Sequence, residues 1–295
     1  MNRRNSTNRI IYLMVLGIIS GCGEKTQNYR LTAFENDVSF ELPYDPNHLT
    51  IYSDESLFPR SIIVDPDVPN IIQEYHDFYN LFLNEGDDKI IILRLIRELQ
   101  KHFTNDRQMI EGLVTWVQED IAYDHEKLNA ASWNVNYPFE TILYKKGVCS
   151  GKSVLLGKVL LELNYDFCFY IFEEANHMAL GIRVDDQLGT FPEEPNYAFI
   201  ETTTLAPIGS IVGDPDGEQL EDPLVIYPSR RGQKSFLDYS TYLDSLTQLK
   251  SLYGEDYLLI EPKQRYLARQ LHEKRKELED FDTIKMSQNN VDQYN

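Results

Sequence analysis

The sequence predicts an α+β protein in which helices pack on a small antiparallel sheet. Two observations predict this class. Segment 87–163 carries apolar residues at helical spacing, and segment 165–203 changes to the apolar patterns of strands. Helices followed by a short run of strands are typical of α+β domains. With 295 residues, of which 42% are hydrophobic, the chain is long enough to bury a sizeable core.

Three helices are predicted in the first of these segments. The first covers 87–103, and the second follows an N-cap at Asn105 with Gln108 three residues later. The third begins near Cys149 and is apolar on most of its circumference, with one narrow polar stripe, so it is predicted to be buried. The second helix is predicted to face the core with Ile110, Leu113, Val114, Trp116, Val117 and Ile121.

Three strands are predicted next. Segment 165–174 is an aromatic and β-branched run, typical of a strand buried on both faces, and its Cys168 is interpreted as a small buried hydrophobe. Segment 177–184 alternates, and the face that carries His177 is otherwise small. That face is therefore predicted to leave room for a helix or a substrate. The third strand lies at 197–203, and segment 205–228 reads as loops.

The first 22 residues have the pattern of an export signal. Three arginines precede an apolar run at 10–19 that is too short to span a bilayer. The stretch ISGC at 19–22 resembles a bacterial lipobox, in which the cysteine is lipidated and becomes the N-terminus. The prediction is an exported protein anchored to the cell-envelope membrane through lipid on Cys22. The alternative is an ordinary signal peptide that is cleaved nearby.

Charge and composition limit the classes of partner and ligand that the protein is predicted to bind. The formal net charge of −19 argues against nucleic acid, because binding to phosphates needs clustered lysine and arginine. The sequence has no paired Cys/His spacing of a metal site, and neither a metal nor a cofactor is predicted. The acidic stretch 213–222 lacks the residue order of an EF-hand loop, so a solvated loop is favoured over a calcium site.

Three residues suited to thiol chemistry occur in order along the chain. Cys149 lies at a helix start, where unpaired N–H groups and the helix dipole favour a thiolate, the form of cysteine that acts as nucleophile. His177 lies at a strand start and Glu201 near a strand end. A thiol nucleophile needs an imidazole to take its proton, and the imidazole needs an acceptor that holds its tautomer. The alternative is that Cys149 only fills space in the core.

The stretch PFETILYKKGVCSGKSVLLGKVLLELNYDFCFYI, followed by NHMALGI and YAFIETT, resembles the transglutaminase-like superfamily, which has a papain-like core. The resemblance covers about residues 105–225. It implies that Cys149 is the nucleophile, His177 the base and Glu201 the acid that orients it, with Glu in place of the commoner Asp. It also implies a peptide or protein substrate, including cell-wall peptide, that is hydrolysed or transferred through a thioester. Some members have lost activity, so a binding or scaffold lipoprotein is the alternative.

Two further predictions follow. The Cys149 backbone N–H is one candidate oxyanion donor, and no side-chain donor is assigned, because packing is favoured over an oxyanion role for the two aromatic candidates, Trp133 and Tyr137. The predicted division of the chain is a signal peptide (1–21), an N-terminal tether and irregular region (22–85), the transglutaminase-like domain (86–228) and a C-terminal helical region (229–295), which includes a charged helix at 265–281.

Overall fold

The computed structural model of the chain describes residues 24–31, 38–52, 54, 56, 58–62, 70–86, 88–103, 105–128, 134–185, 187–212, 220–258, 271, 274, 275 and 278. Its helices are α1 (Asn47–Ile51), α2 (Ile71–Asn84), α3 (Asp88–Gln100), α4 (Asp106–Glu119), α5 (His125–Leu128), α6 (Pro138–Tyr144), α7 (Cys149–Glu162) and α8 (Tyr239–Tyr253). Its strands are β1 (Lys25–Leu31), β2 (Val38–Tyr44), β3 (Ala122–Tyr123), β4 (Lys146–Gly147), β5 (Phe167–Phe172), β6 (His177–Arg183), β7 (Tyr197–Ile200) and β8 (Leu224–Ile226).

The predicted α+β class is confirmed. A four-stranded antiparallel sheet has the strand order β7-β6-β5-β8, and helices pack against it. The three predicted strands are β5, β6 and β7. Strand β8 lies within 205–228, which was predicted to be loops, and it pairs with Phe169–Ile171 of β5. Three residues are too few to display a strand period, so only the pairing reveals β8.

Helix α7 is the central helix and packs against β5, β6 and the helices α2, α3, α4 and α6. Its apolar residues from Val154 to Leu161 are buried, as the sequence predicted. Gly157 allows the helix to approach the sheet, because a Cβ there would lie 2.9 Å from the Phe167 ring. The predicted helix before it, α4, is capped by the Asn105 side chain, which accepts a hydrogen bond from the Gln108 N–H at 2.9 Å. Trp116 is fully buried, as predicted.

The N-terminal region was predicted as a tether followed by an irregular region with short strands and turns at unassigned positions, and the structure places strands and helices in it. Strands β1 and β2 form a hairpin, and Tyr29 and Phe40 of this hairpin pack on Trp116 with ring centroids 6.0 and 6.5 Å away. The Tyr29 hydroxyl also donates to the Ile142 carbonyl at 2.8 Å. Helix α2 was missed among the prolines, although its buried residues Phe78, Tyr79, Phe82 and Leu83 have helical spacing. The described part of residues 22–85 is therefore packed on the helices that follow it.

The two faces of the sheet contact different cores. Met178, Leu180 and Ile182 belong to the core that includes α7, whereas Ala179 lies in a second core on the other face. A Cβ on Gly181 would lie 2.6 Å from the Tyr170 ring, so that aromatic ring occupies the space beside the glycine. The prediction that this small face would leave room for a helix or a substrate was wrong.

Several predictions fall wholly or partly outside the described residues, including the acidic stretch 213–222, of which only 220–222 are described. The signal segment and Cys22 lie outside them, as do most residues of the helix predicted at 265–281, of which Leu271, Lys274, Arg275 and Leu278 are described as helical. Over the described ranges, no helix combines the length and the apolarity needed to cross a membrane.

Candidate active site

Cys149 is the first residue of α7, and the turn before it places its thiol at the helix N-terminus. Lys145 ends α6 in the left-handed conformation with φ 52°, strand β4 follows, and Val148 is the extended N-cap of α7. Cys149 is 9% exposed and carries a free thiol. The helix N-terminus therefore presents the sulfur with unpaired backbone N–H groups beside it.

Antiparallel pairing of β6 and β7 brings the next two predicted residues together. His177 begins β6 and Glu201 follows the end of β7. Because the two strands are antiparallel neighbours, the start of β6 lies beside the end of β7. His177 Nε2 lies 3.0 Å from Glu201 Oε2. The side chains are only 3% and 1% exposed, so this contact is shielded from water.

The Glu201 carboxylate is held by several donors. Its Oε1 accepts hydrogen bonds from the Thr202 N–H at 2.8 Å, the Thr203 N–H at 2.7 Å and the Thr203 hydroxyl at 2.6 Å. Burial favours the neutral acid, but the hydrogen bonds from His177 and Thr203 together with the His177 charge hold the pKa of Glu201 below its ordinary value. Glu201 is therefore an anion with its second oxygen directed at the imidazole.

His177 connects the carboxylate to the thiol. Its Nε2 contacts Glu201, which leaves Nδ1 for its hydrogen bond with Cys149. Burial disfavours the imidazolium, yet hydrogen bonds to Cys149 and Glu201 and the charges of both raise the pKa of His177 from 6.5 to about 10. The arrangement stabilises an imidazolium at the position to which the Cys149 proton would move.

A buried serine one turn into α7 holds the helix against both strands, and it was not predicted from the sequence. The Ser153 hydroxyl donates to the Met178 carbonyl at 3.1 Å and lies 3.1 Å from the Thr202 hydroxyl. Gln118 has a related role, because its amide donates to the backbone carbonyls of Glu201 at 2.8 Å and Ala206 at 3.0 Å. These polar contacts position the three predicted site residues, but nothing in their sequence spacing distinguishes them.

Two lysines of α7 are buried, which the apolar pattern did not reveal. Lys152 Nζ donates to the Ile121 carbonyl at 2.7 Å, and burial lowers the pKa of Lys152 to about 8 against the opposing charges of Glu201 and Cys149. Lys158, expected in a polar stripe, is also buried and donates to the carbonyls of Leu83 and Glu85. Lys152 therefore adds positive charge close to Cys149.

A cavity of about 340 Å³ opens at the thiol. Its walls are largely apolar, and Val148, Cys149 and His177 form one part of them. Four lining residues come from the N-terminal region, and they are Ile62, Tyr75, Phe78 and Tyr79. The cavity is therefore shaped partly by α2 and by the segment before it.

The two aromatic candidates for an oxyanion donor have different outcomes. Trp133 lies outside the described residues. Tyr137 is fully buried, stacks on Tyr52 with ring centroids 4.9 Å apart, and donates its hydroxyl to the Pro59 carbonyl at 3.2 Å. Packing, the role favoured from the sequence, accounts for Tyr137. Among the described residues, no group of three or more His, Cys, Asp and Glu side chains is arranged to hold a metal ion.

Comparison with known families supports the motif-based prediction. Residues 92–196, about a third of the chain, match a family model described as a transglutaminase-like domain. The resemblance predicted from the motifs is thereby confirmed for these residues, which include Cys149 and His177. Glu201 lies five residues beyond the match.

Two solved structures are similar to the chain. One is described as a TGase, with 15% identity, a TM-score of 0.33, and coverage of 89% of this chain and 68% of that one. The other, from Cytophaga hutchinsonii, is described as a candidate cysteine protease, with 13% identity, a TM-score of 0.33, and coverage of 71% and 68%. No curated protein matches the chain in sequence.

Proposed function

We propose that this protein is a cysteine enzyme that acts on amide bonds of peptides or proteins through a thioester on Cys149. The observation that supports it is the position of His177, which is hydrogen-bonded both to Cys149 and to Glu201 at the wall of a cavity. A thiol, an imidazole and an orienting carboxylate in this order are the groups that nucleophilic acyl transfer requires.

The first half of the reaction transfers the acyl group to the enzyme. The Cys149 proton moves to His177 Nδ1, the sulfur forms a bond to the amide carbon, and the carbonyl electron pair moves onto oxygen. The Cys149 backbone N–H stabilises that oxyanion. The carbonyl then re-forms, the carbon–nitrogen bond breaks, and the leaving amine takes the proton from His177.

The second half releases the acyl group. His177 removes a proton from the incoming water or amine, which attacks the thioester carbon, and the thiolate leaves and regains a proton from His177. Water yields a carboxylic acid, as in a peptidase or amidase, and an amine yields a new amide, as in a transglutaminase. Glu201 stabilises the imidazolium in both halves and keeps Nδ1 directed at the sulfur.

Incubation of the purified protein with a defined mixture of glutamine-containing peptides, with and without cadaverine, tests this proposal. Mass spectrometry would detect hydrolysed peptides in one case and amine adducts in the other, and Cys149→Ser is the matched control because it keeps the shape of the side chain. We expect products with the wild type and none above background with the control. Equal results for the two proteins would contradict the enzymatic proposal and favour the binding or scaffold alternative.

The location of the substrate follows from a second part of the proposal. We propose that the protein is exported and anchored in the cell-envelope membrane by lipid on Cys22, so that its substrates are peptides outside the membrane, including cell-wall peptide. The basic residues, the apolar run and ISGC at 19–22 support this. Bacterial expression with radiolabelled palmitate should label the wild type but not Cys22→Ala, and equal labelling would contradict the anchor.

A further inference from the structure

Tyr79 lies on α2 at the cavity wall, and its ring is held on several sides. The ring stacks on Tyr75 with centroids 6.2 Å apart and packs edge-on against Phe78 at 5.2 Å. From the sheet, Phe169 contacts it at 5.4 Å. Tyr79 is 7% exposed, so its ring has little freedom to move.

The Tyr79 hydroxyl forms no hydrogen bond with any of the described residues. It is not sealed off in the core either, because Tyr79 lines the same cavity as Cys149 and His177. Buried tyrosine hydroxyls usually have a partner. A phenol held rigidly in a cavity without one is therefore available to a ligand.

The phenol is also held in the form that can donate. Burial raises the pKa of Tyr79, and the charge of the nearby Cys149 raises it further. The hydroxyl therefore keeps its proton at neutral pH. Tyr79 can donate a hydrogen bond but cannot serve as a base.

Three other side-chain donors near the site are already engaged. The Tyr75 hydroxyl donates to Glu173 at 3.2 Å, and the Tyr137 hydroxyl donates to the Pro59 carbonyl. The Gln118 amide donates to two backbone carbonyls. Tyr79 differs from these three because it lines the cavity and its hydroxyl donates to no group among the described residues.

We propose that the Tyr79 hydroxyl is the side-chain donor that stabilises the oxyanion formed when Cys149 attacks a carbonyl carbon, an inference that rests on the proposed function. The hydrogen bond strengthens as the carbonyl electron pair moves onto oxygen, and the phenol keeps its proton throughout. The backbone N–H of Cys149 is the second donor. The helix that supplies Tyr79 lies outside the residues that match the transglutaminase-like family model.

Two reactions of the Cys149 thiol distinguish the loss of an oxyanion donor from a general change in the reactivity of the thiol. p-Nitrophenyl acetate acylates Cys149 through a tetrahedral oxyanion and releases p-nitrophenol, whereas iodoacetamide alkylates the sulfur by direct displacement and forms no oxyanion. Tyr79→Phe should slow the p-nitrophenol burst by about a hundredfold to a thousandfold, the range for loss of one oxyanion donor. It should leave the alkylation rate within about twofold of the wild type.

Tyr170→Phe is the matched control. It removes the hydroxyl of another buried tyrosine, but this hydroxyl lies beside the Cys168 thiol in the second core. Both rates should then stay near the wild-type values. Circular dichroism of each variant checks that the fold is retained.

The remaining outcomes contradict the proposal in distinguishable ways. An unchanged burst in Tyr79→Phe overturns the role of Tyr79 and leaves the proposed function standing. Equal losses in burst and alkylation show that the substitution displaces the thiol, which also overturns the donor role. A wild-type burst no larger than that of Cys149→Ala overturns the proposed function together with this inference.

Discussion

The N-terminus of α7 and the middle of β5 each hold a buried cysteine, and their surroundings differ in kind. Cys149 lies at a helix start beside a cavity and contacts His177. Cys168 is fully buried in the second core among aromatic side chains such as Tyr170 and Phe199. Burial raises the pKa of the Cys168 thiol well above its ordinary value. Burial alone therefore does not distinguish a candidate nucleophile from a packing residue, whereas the partners of the thiol do.

The largest expected effect is the difference in reactivity between these two thiols. With iodoacetamide at pH 6, the modification rate of Cys149 in the native protein should exceed that of Cys168 by at least about a thousandfold. The reason is that Cys168 reacts only when the core opens. Peptide mass spectrometry of timed samples measures both rates. Unfolding in guanidinium chloride is the control, since it should make the rates similar. Comparable rates in the native protein would favour a structural role for both cysteines.

His177→Ala should remove most of this difference. Without the imidazole, proton removal from Cys149 loses its acceptor, and we expect thiol-dependent turnover to fall by about a thousandfold. Low-pH alkylation of Cys149 should fall as well. If Cys149 keeps its wild-type alkylation rate at pH 6 in this variant, the helix N-terminus alone activates the thiol and His177 is not the base.

The same histidine predicts a pH dependence of stability. Because the pKa of His177 rises from 6.5 to about 10 in the folded state, its protonated form stabilises the fold. That contribution is complete below pH 6.5 and is lost as the pH rises through 10. Urea unfolding should show that the stability difference between the wild type and His177→Gln shrinks over this window, and a constant difference would contradict the imidazolium.

Glu201→Gln should reduce turnover by orders of magnitude while the fold persists. The three donors from Thr202 and Thr203 would keep the amide oxygen, so the amide NH₂ would face His177 Nε2. The imidazole proton would then sit on Nδ1, which could no longer accept the Cys149 proton. Glu201→Asp keeps the charge and shortens the side chain by one methylene, so we expect a loss of only about tenfold. Equal losses in the two variants would argue against the tautomer explanation.

The smallest effect on the site is expected from a change in the second core. In Gly181→Ala, the new methyl group would meet the buried Tyr170 ring at 2.6 Å. Such overpacking costs about 1–3 kcal/mol of stability, measurable by urea unfolding. The alkylation rate of Cys149 should change by less than about twofold, because Gly181 lies four residues along β6 from His177 and the new methyl group meets Tyr170 rather than a site residue. A large loss of Cys149 reactivity would show that the two regions are coupled.

The local sequence determined most of the fold around the candidate site. Helical spacing identified α3, α4 and α7, and apolar runs identified β5, β6 and β7, because these periods depend on residues near one another in the chain. Cys149, His177 and Glu201 lie at or next to the ends of α7, β6 and β7, and they are the residue types that a cysteine nucleophile, its base and an orienting acid require. The structure brings His177 into contact with both of the others, as this order suggested.

The tertiary structure alone decided which distant segments meet there. The β1–β2 hairpin packs on Trp116, β8 adds to β5, and α2 brings Tyr79 to the cavity. Lys152, in a helix predicted to be apolar, is buried because carbonyls at the end of α4 accept its hydrogen bonds. Each of these depends on contacts between residues far apart in the chain, and a local pattern carries no information about such a partner. The sequence therefore determined which residues could act as nucleophile, base and orienting acid, and only the folded chain decided what surrounds them.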